Sequence, residues 1–416
     1  MLEESSKALV TARRDVIFVD SAERLADCCD QLLQLQGEFA LDAERASGFR
    51  YGQRAYLIQV ARRTGPIYLI DPAAISPEAN PEDFKCLSAV LKIDTWLLHA
   101  ATQDLPCLAE IGLFPSSIFD TELGSRLAGL PRVGLGAVVE HYLKLVLAKE
   151  HSAVDWSKRP LDASWLDYAA LDVDVLHELA DALKSDLEQK GKLSWAEQEF
   201  EHLLKFKPKP ENAERWRGTS GLHEVKTQIG LAVARELWKS REQLAAKLDV
   251  APGRLIPDSS ISHVAKALPK SRPELAADKL FAGRASRSYL DAWWSAVDAA
   301  RNTRDLPPLK IESTGIPNHR SWPNRWPSAH KRLVCARFHL AKVAEEIEVP
   351  LENLVSPETI RQICWVERQE ASTEEITSEL EMFAARPWQI SLIAESLASS
   401  IGLSQSFVAE KPELKA

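Results

Sequence analysis

Five residues stand in spacings that suit the binding of hard metal ions. Asp42 and Glu44 end the apolar run Phe39-Ala40-Leu41-Asp42-Ala43-Glu44. Asp104 follows a second apolar run, Thr95-Trp96-Leu97-Leu98-His99-Ala100. Tyr168 and Asp172 lie four apart in Tyr168-Ala169-Ala170-Leu171-Asp172. Alternate residues on a strand project to one face, so Asp42 and Glu44 point together. Residues four apart on a helix also share a face, which pairs Tyr168 with Asp172. Pro106 marks a helix start just beyond Asp104. If the three segments converge, four carboxylates meet beside one phenol. Such a cluster repels itself and stays ionised only with cations bound. Oxygen-rich sites of this kind suit magnesium or manganese. Singly, each piece is ordinary: a solvated strand end, a half-buried aromatic beside a surface charge, and an acid at a helix N-terminus.

The surrounding pattern is mixed α/β. Residues 37–43, 54–61 and 65–71 read as strands, the last two joined by the turn Arg62-Arg63-Thr64-Gly65, which suits an antiparallel hairpin. Residues 81–92 read as a helix, 95–100 as a strand and 105–112 as a helix. After Phe119-Asp120 the chain turns mostly helical. The longest helical pattern, 162–190, carries Tyr168 and Asp172. Lys205-Phe206-Lys207-Pro208-Lys209-Pro210 is a polar, proline-bearing break.

In order and context these segments resemble the exonuclease domain of ribonuclease D, within the DEDD family of 3′-to-5′ exonucleases. Tyr168, four residues before the last aspartate, marks the DEDDy branch. Further strings carry the likeness: Ala55-Tyr56-Leu57-Ile58-Gln59, Asp120-Thr121, and Asp155-Trp156-Ser157-Lys158-Arg159-Pro160-Leu161. It covers about residues 15 to 205. Arg45 and Ala46 depart from it, standing where many relatives carry a more apolar or aromatic residue.

The resemblance implies a ribonuclease-H-like α/β domain, a mixed sheet flanked by helices. It implies a metal-dependent exoribonuclease that removes nucleotides one at a time from RNA 3′ ends with two divalent cations, Mg2+ or Mn2+. Asp42, Glu44, Asp104 and Asp172 are the expected metal ligands. Glu44 is also expected to touch the terminal 3′-hydroxyl, and Tyr168 to position the attacking water. Gln59, His99, Lys158 and Arg159 are the further candidates near the substrate, with His99 and the Lys158–Arg159 pair open to purely structural roles. Precursors of tRNA or other structured RNAs are the implied substrates. A DNA exonuclease would use the same carboxylates. A non-catalytic nucleic-acid adaptor and an unrelated carboxylate-metal hydrolase are the competing readings. The intact five-residue set opposes the first, and the C-terminal half opposes the second.

That half contains a repeat. Ala245-Ala246-Lys247-Leu248-Asp249-Val250 aligns with Ala344-Glu345-Glu346-Ile347-Glu348-Val349, 99 residues on. Leu255-Ile256-Pro257 aligns with Leu354-Val355-Ser356 and Ile261 with Ile360 at the same offset. Phe281-Ala282-Gly283-Arg284 matches Phe383-Ala384-Ala385-Arg386 at an offset of 102. Two copies of one helical domain account for this, and both resemble the HRDC domain shared by ribonuclease D and RecQ-type helicases. The expected domains are 1–205 (exonuclease), 206–304 (first HRDC), 305–325 (linker) and 326–416 (second, HRDC-like). Trp322 and Trp326, by the linker, read as interdomain packing before base stacking.

The net charge of −9 looks wrong for a nucleic-acid binder until it is divided. Residues 1–205 carry −12, residues 206–304 carry +7 and residues 305–416 carry −4. An acidic part that holds metals and a basic part that holds phosphates fit these signs. The charges also predict that a chain cut after about residue 205 keeps its chemistry and loses its grip on long RNA. Six cysteines without CxxC spacing argue against a zinc site or a disulfide framework. Met1–Lys7 lacks a signal-peptide layout, and no apolar run approaches the ~18 residues that span a bilayer. A cytoplasmic protein with no membrane association and no obligate protein partner is expected.

Overall fold

The structure, a computed structural model, describes residues 7–9, 11–147, 154–207, 212, 214–281, 283–310 and 315–407. Parts of the sequence reading lie outside these residues: Met1–Ser6, Pro208–Pro210 of the first boundary, Ala282 of the repeat, and 408–416.

The N-terminal part is built on a six-stranded mixed sheet. A short strand β1 (Lys7–Leu9) precedes it, and β2 (Val16–Val19) is its first member. Then come β3 (Phe39–Arg45), β4 (Ala55–Ala61), β5 (Ile67–Ile70), β6 (Trp96–Leu98) and β7 (Ile118–Asp120). The spatial order is β2-β5-β4-β3-β6-β7. Only β4 runs antiparallel to its neighbours. β8 (Leu145–Leu147) pairs with β1 as a separate parallel ribbon.

Period-2 alternation divides the sheet into two faces. Phe39, Leu41, Ala43, Ile58, Val60, Tyr68 and Ile70 form one core with residues of helices Ala22–Gln34 and Lys85–Leu91. Ala40, Leu57, Ala61, Ile67 and Leu69 face the other way, into a core shared with helices Ala163–Asp174 and Leu176–Gln189. Asp42 belongs to this second face, in register with Ala40.

The expected single helix over 162–190 is broken at Val175. Arg13 Nη2 donates to the Asp174 carbonyl at 2.9 Å, and Arg13 and Arg14 both bond the Asp174 carboxylate. A side chain that captures a carbonyl of the helical ladder is a sufficient cause of a kink. The expectation of a mostly helical chain after Asp120 also misses β8, whose partner β1 lies at the other end of the domain.

The two C-terminal regions repeat one helix order. Helices Gln228–Leu248, Pro252–Leu255, Asp258–Ala267, Arg272–Ala277 and Leu290–Arg301 recur as Pro327–Glu346, Leu351–Leu354, Pro357–Trp365, Thr373–Met382 and Pro387–Leu403. The long first helix of each ends in a left-handed residue, Asp249 (φ 47°) and Glu348 (φ 51°), again 99 apart. The next amide returns to the same carbonyl in both: Val250 N to Ala245 O and Val349 N to Ala344 O, each 3.0 Å.

Their cores differ. The first repeat closes its own, around Trp216, Leu237, Phe281 and Trp293. The second is continuous with the core of the N-terminal domain. Trp388 stacks on Trp195 at 4.9 Å, and Glu199 accepts from Trp388 Nε1 at 2.8 Å and Arg386 Nε at 2.6 Å. Gly129 meets the Glu348 turn: a Cβ there would stand 2.8 Å from the Glu348 carbonyl. Trp322 is fully buried and, with Trp326, packs on Trp365, so these tryptophans are packing residues.

Candidate active site

β3 delivers Asp42 and Glu44, two apart as the strand period requires, and the β3–β4 register shifts between Glu44 and Arg45. Helix Ala163–Asp174 packs over β3, β4 and β5 and supplies Tyr168 and Asp172. Asp162 caps its first turn, accepting from Ser164 N at 2.9 Å.

Asp104 depends on a less obvious device. After β6 the chain turns through Ala100 in the left-handed region (φ 64°), runs a 3-10 turn over Ala101–Gln103, and enters helix Leu105–Glu110. A non-glycine residue in that region is strained by about 1 kcal/mol or more. Buried Asp120 holds the turn. Its carboxylate accepts from Ala100 N (3.0 Å), Ala101 N (2.8 Å), Glu122 N (2.9 Å) and Leu123 N (3.1 Å). Asp120 thus caps helix Thr121–Leu127 and fixes the approach to Asp104 at once. This role was missed in the sequence, although an aspartate before a helical run is the N-cap signal that marks it.

The three segments converge. Carboxylate oxygens of Asp42, Glu44 and Asp172 all lie within 4.8 Å of one another. Asp104 is hydrogen-bonded to Asp42, and Tyr168 to Asp172. All five line one cleft, together with Arg45 and His99.

Each of the four carboxyls is pushed above the usual carboxylate range, and burial is the largest cause at each. Asp42 rises to about 6, despite the Ala43 amide, Asp104 and Arg45, which all favour its charged form. At Glu44, Asp104 and Asp172 the negative charge of Asp42 adds to the effect of burial. Asp42 and Asp104 share a hydrogen bond, so these two carboxyls lose their protons as a pair. The Tyr168 phenol is pushed well above its usual range by burial, then by Asp172, Glu44 and Asp42. It stays protonated at neutral pH: it can orient a water but not take a proton from one. Like charges this close, half-buried at Asp42, Glu44 and Asp172 and buried at Asp104, ionise together only when cations face them. The all-oxygen donor set fits hard divalent ions.

His99 borders the cleft but is tied to Thr121 Oγ1 through Nδ1 at 2.9 Å. Burial lowers its imidazole to about 4, leaving it neutral. Arg159 is committed to a structural clamp: Nε and Nη2 bond the two Asp71 oxygens at 2.5 and 2.6 Å, and Nη2 also reaches Tyr56 O at 2.9 Å. Gln59 is 0% exposed, opposite Asp42 in the ladder, and so is closed to direct contact with substrate. Lys158 is exposed.

The first repeat touches the segment that follows β3. The loop that follows Glu44 receives Ala251 N on Phe49 O (3.0 Å) and Arg254 Nε on Gly48 O (2.8 Å). Tyr51 N donates to Asp249 at 3.3 Å, and the Arg254 guanidinium lies 4.2 Å from the Phe49 ring centre.

Comparison with known proteins adds the following. A sequence model of the 3'-5' exonuclease matches residues 16–188, one of the HRDC domain residues 230–297, and one of the 3' to 5' exonuclease C-terminal domain residues 315–401. An HRDC match is therefore found for the first repeat, and a different description for the second. Ribonuclease D of Zymomonas mobilis is 30% identical over 303 residues, covering 71% of this chain and 74% of that one. Ribonuclease D of Nitrobacter hamburgensis is 30% identical over 309 residues, covering 71% and 76%. A protein from Bifidobacterium adolescentis superposes with a TM-score of 0.85 at 35% identity, covering 95% of this chain and 99% of that one. Escherichia coli RNase D shares the fold, with a TM-score of 0.68 at 24% identity over 95% of this chain and 100% of that one.

Proposed function

The chain belongs to the ribonuclease D family and is a 3′-5′ exoribonuclease, and on that premise we propose that Asp42, Glu44, Asp104 and Asp172 hold two divalent cations, Mg2+ or Mn2+. One observation carries this reading. Four carboxyls from three distant segments meet in one cleft, each pushed toward its neutral form by burial and most by a neighbour's charge as well. When bound, such a pair of ions supplies an activated water and stabilises the departing 3′-oxygen. Tyr168, protonated and beside Asp172, orients the water. Glu44 accepts from the terminal 3′-hydroxyl, which confines attack to the chain end and releases nucleoside 5′-monophosphates.

Capture of the RNA belongs to the first repeat. Its region carries +7, and Lys247, Lys279, Arg284 and Arg287 are exposed on it. The second repeat is HRDC-like in helix order and serves as a structural partner of the catalytic domain. Lys158, which is exposed, is a phosphate contact for the substrate backbone. Precursors of tRNA or other structured RNAs are the substrates. The protein works in the cytoplasm, a reading supported by six free cysteines. No helix among the described residues is long and apolar enough to cross a membrane.

The test is a timed digestion of 5′-end-labelled RNA, and of DNA of the same sequence, with Mg2+, Mn2+ or chelator. RNA is expected to shorten from its 3′ end by single nucleotides, only with metal and faster than DNA. Internal cuts, or equal rates in chelator, would overturn the reading.

A further inference from the structure

Two cysteines distant in sequence meet on the side of the sheet turned away from the helix of Tyr168 and Asp172. Cys29 lies in helix Ala22–Gln34 and Cys86 in helix Lys85–Leu91, and the two helices pack against each other. Both thiols are free, and Cys29 Sγ stands 3.1 Å from Cys86 Sγ. The sulfurs are thus within about 1 Å of bonding distance. Their settings differ. Cys29 is buried in the core formed with Phe39, Tyr68 and Phe84, whereas Cys86 is exposed. Burial, with the hydrogen bond to Cys86 next, pushes the Cys29 thiol well above its usual range. Burial likewise lifts neighbouring Cys28 to about 12. Cys107, Cys335 and Cys364 are buried too, so Cys86 alone offers a thiol to solvent.

We propose that Cys29 and Cys86 form a reversible redox-modification site, which a low-molecular-weight disulfide such as oxidised glutathione converts into a cross-link between the two helices. The thiolate is the attacking form, and Cys86 is the thiol the reagent can reach. Its sulfur bonds one sulfur of the reagent, whose S–S bond breaks. The other half leaves as a thiolate and takes up the proton that Cys86 gave to water. Cys29 then loses its proton and attacks the Cys86 sulfur, expelling the second half of the reagent as a thiol. Two protein thiols and one reagent disulfide become one protein disulfide and two small thiols, and two electrons pass to the reagent. A buried thiol ionises reluctantly, but its target is already in contact, and such proximity offsets a weak nucleophile. In a reducing compartment the pair rests open. Once closed, the bond joins positions 57 apart in the chain. A cross-link over so long a loop strongly restricts the unfolded chain. It braces the domain from the face opposite the carboxylate cleft, so oxidation stabilises the fold.

For the test, the full-length chain is equilibrated in glutathione buffers of rising oxidised fraction, quenched in acid, alkylated in denaturant and digested with trypsin. Mass spectrometry follows the peptides Leu25–Arg45 and Cys86–Lys92 in wild type, Cys28→Ala, Cys29→Ala and Cys86→Ser. In wild type and Cys28→Ala the two peptides are expected to appear joined within one chain, and to separate again with dithiothreitol. Cys29→Ala lacks the second thiol and is expected to stop with glutathione on Cys86. Cys86→Ser is expected to keep its remaining thiols unmodified while folded. The melting temperature of oxidised wild type is expected to rise by about 5 °C or more over the reduced chain, with no rise in Cys86→Ser. Glutathione that persists on Cys86 of wild type, with Cys29 still open to alkylation, overturns the inference. Cross-linked dimers as the only disulfide product, or loss of the joined peptides in Cys28→Ala, overturn it as well. A closed form that melts no higher than the reduced chain overturns the bracing role.

Discussion

Residues 228–301 and 327–403 build the same helices in the same order, with the same left-handed turn closing the first helix. They attach to the catalytic domain in opposite ways. The first repeat has its own core, against which Tyr51 packs, and meets the loop after Glu44 otherwise through backbone and polar contacts, chiefly Ala251, Arg254 and Asp249. The second extends the catalytic core itself, through Trp388 on Trp195 and the Glu199 cluster. A shared helix order thus says little about role. A handful of large side chains at one seam decides which copy is a separable module and which is a wall of the enzyme. The charges follow the same division: the region of the separable copy carries +7 and residues 305–416 carry −4. The expectation that a chain cut after residue 205 keeps its chemistry must change, since the cut strips the stacked partner from Trp195.

The largest effect that would break this contrast is on stability. Trp388→Ala should destabilise the catalytic domain by about 3–5 kcal/mol, the usual range for a buried tryptophan. Arg254→Ala, at the other junction, should change global stability by less than about 1 kcal/mol. Urea melts followed by circular dichroism compare the two, and equal losses would erase the distinction. A smaller effect concerns capture. Arg284→Ala with Arg287→Ala should weaken binding of single-stranded RNA and lower the salt slope by about 0.7 for each phosphate no longer neutralised. Filter binding across a salt series measures it, with single-turnover cleavage of a short saturating oligonucleotide expected unchanged. An unchanged slope would remove the first repeat from RNA capture.

The smallest effect is a pH dependence at the second seam. His202 lies beside Arg386 and Glu199, and its imidazole is lowered by burial first and then by Arg386. Its folded pKa lies below the unfolded value near 6.5, so the folded chain binds fewer protons. Its contribution to stability is present above about pH 6.5 and lost as pH falls toward the folded value. The melting temperature should fall more steeply in that window for wild type than for His202→Gln. Identical pH profiles would contradict it.

Several parts of this architecture were legible in the sequence because they are local. Asp42 with Glu44 follows from the strand period, Tyr168 with Asp172 from the helix period, and the 99-residue offset marks the repeat. Their convergence was not local and came from resemblance to a family. What stayed hidden depends on distant partners. Asp120 bonds four amides on two turns, Asp174 is clamped by arginines 161 and 160 residues earlier, and β1 pairs with β8 across the domain. The Trp195–Trp388 seam has no periodic signal at all. Lys158 and Arg159 look alike in sequence, yet only the buried Asp71 decides that Arg159 is structural.

The central claim is that the chemistry sits in the four-carboxylate cleft and nowhere else. The most direct measurement is single-turnover cleavage of 5′-labelled RNA by Asp42→Asn in saturating Mn2+, with RNA affinity and thermal stability measured on the same preparation. The expected result is cleavage abolished, RNA affinity close to wild type, and a folded protein. Cleavage at the wild-type rate by folded Asp42→Asn would contradict it.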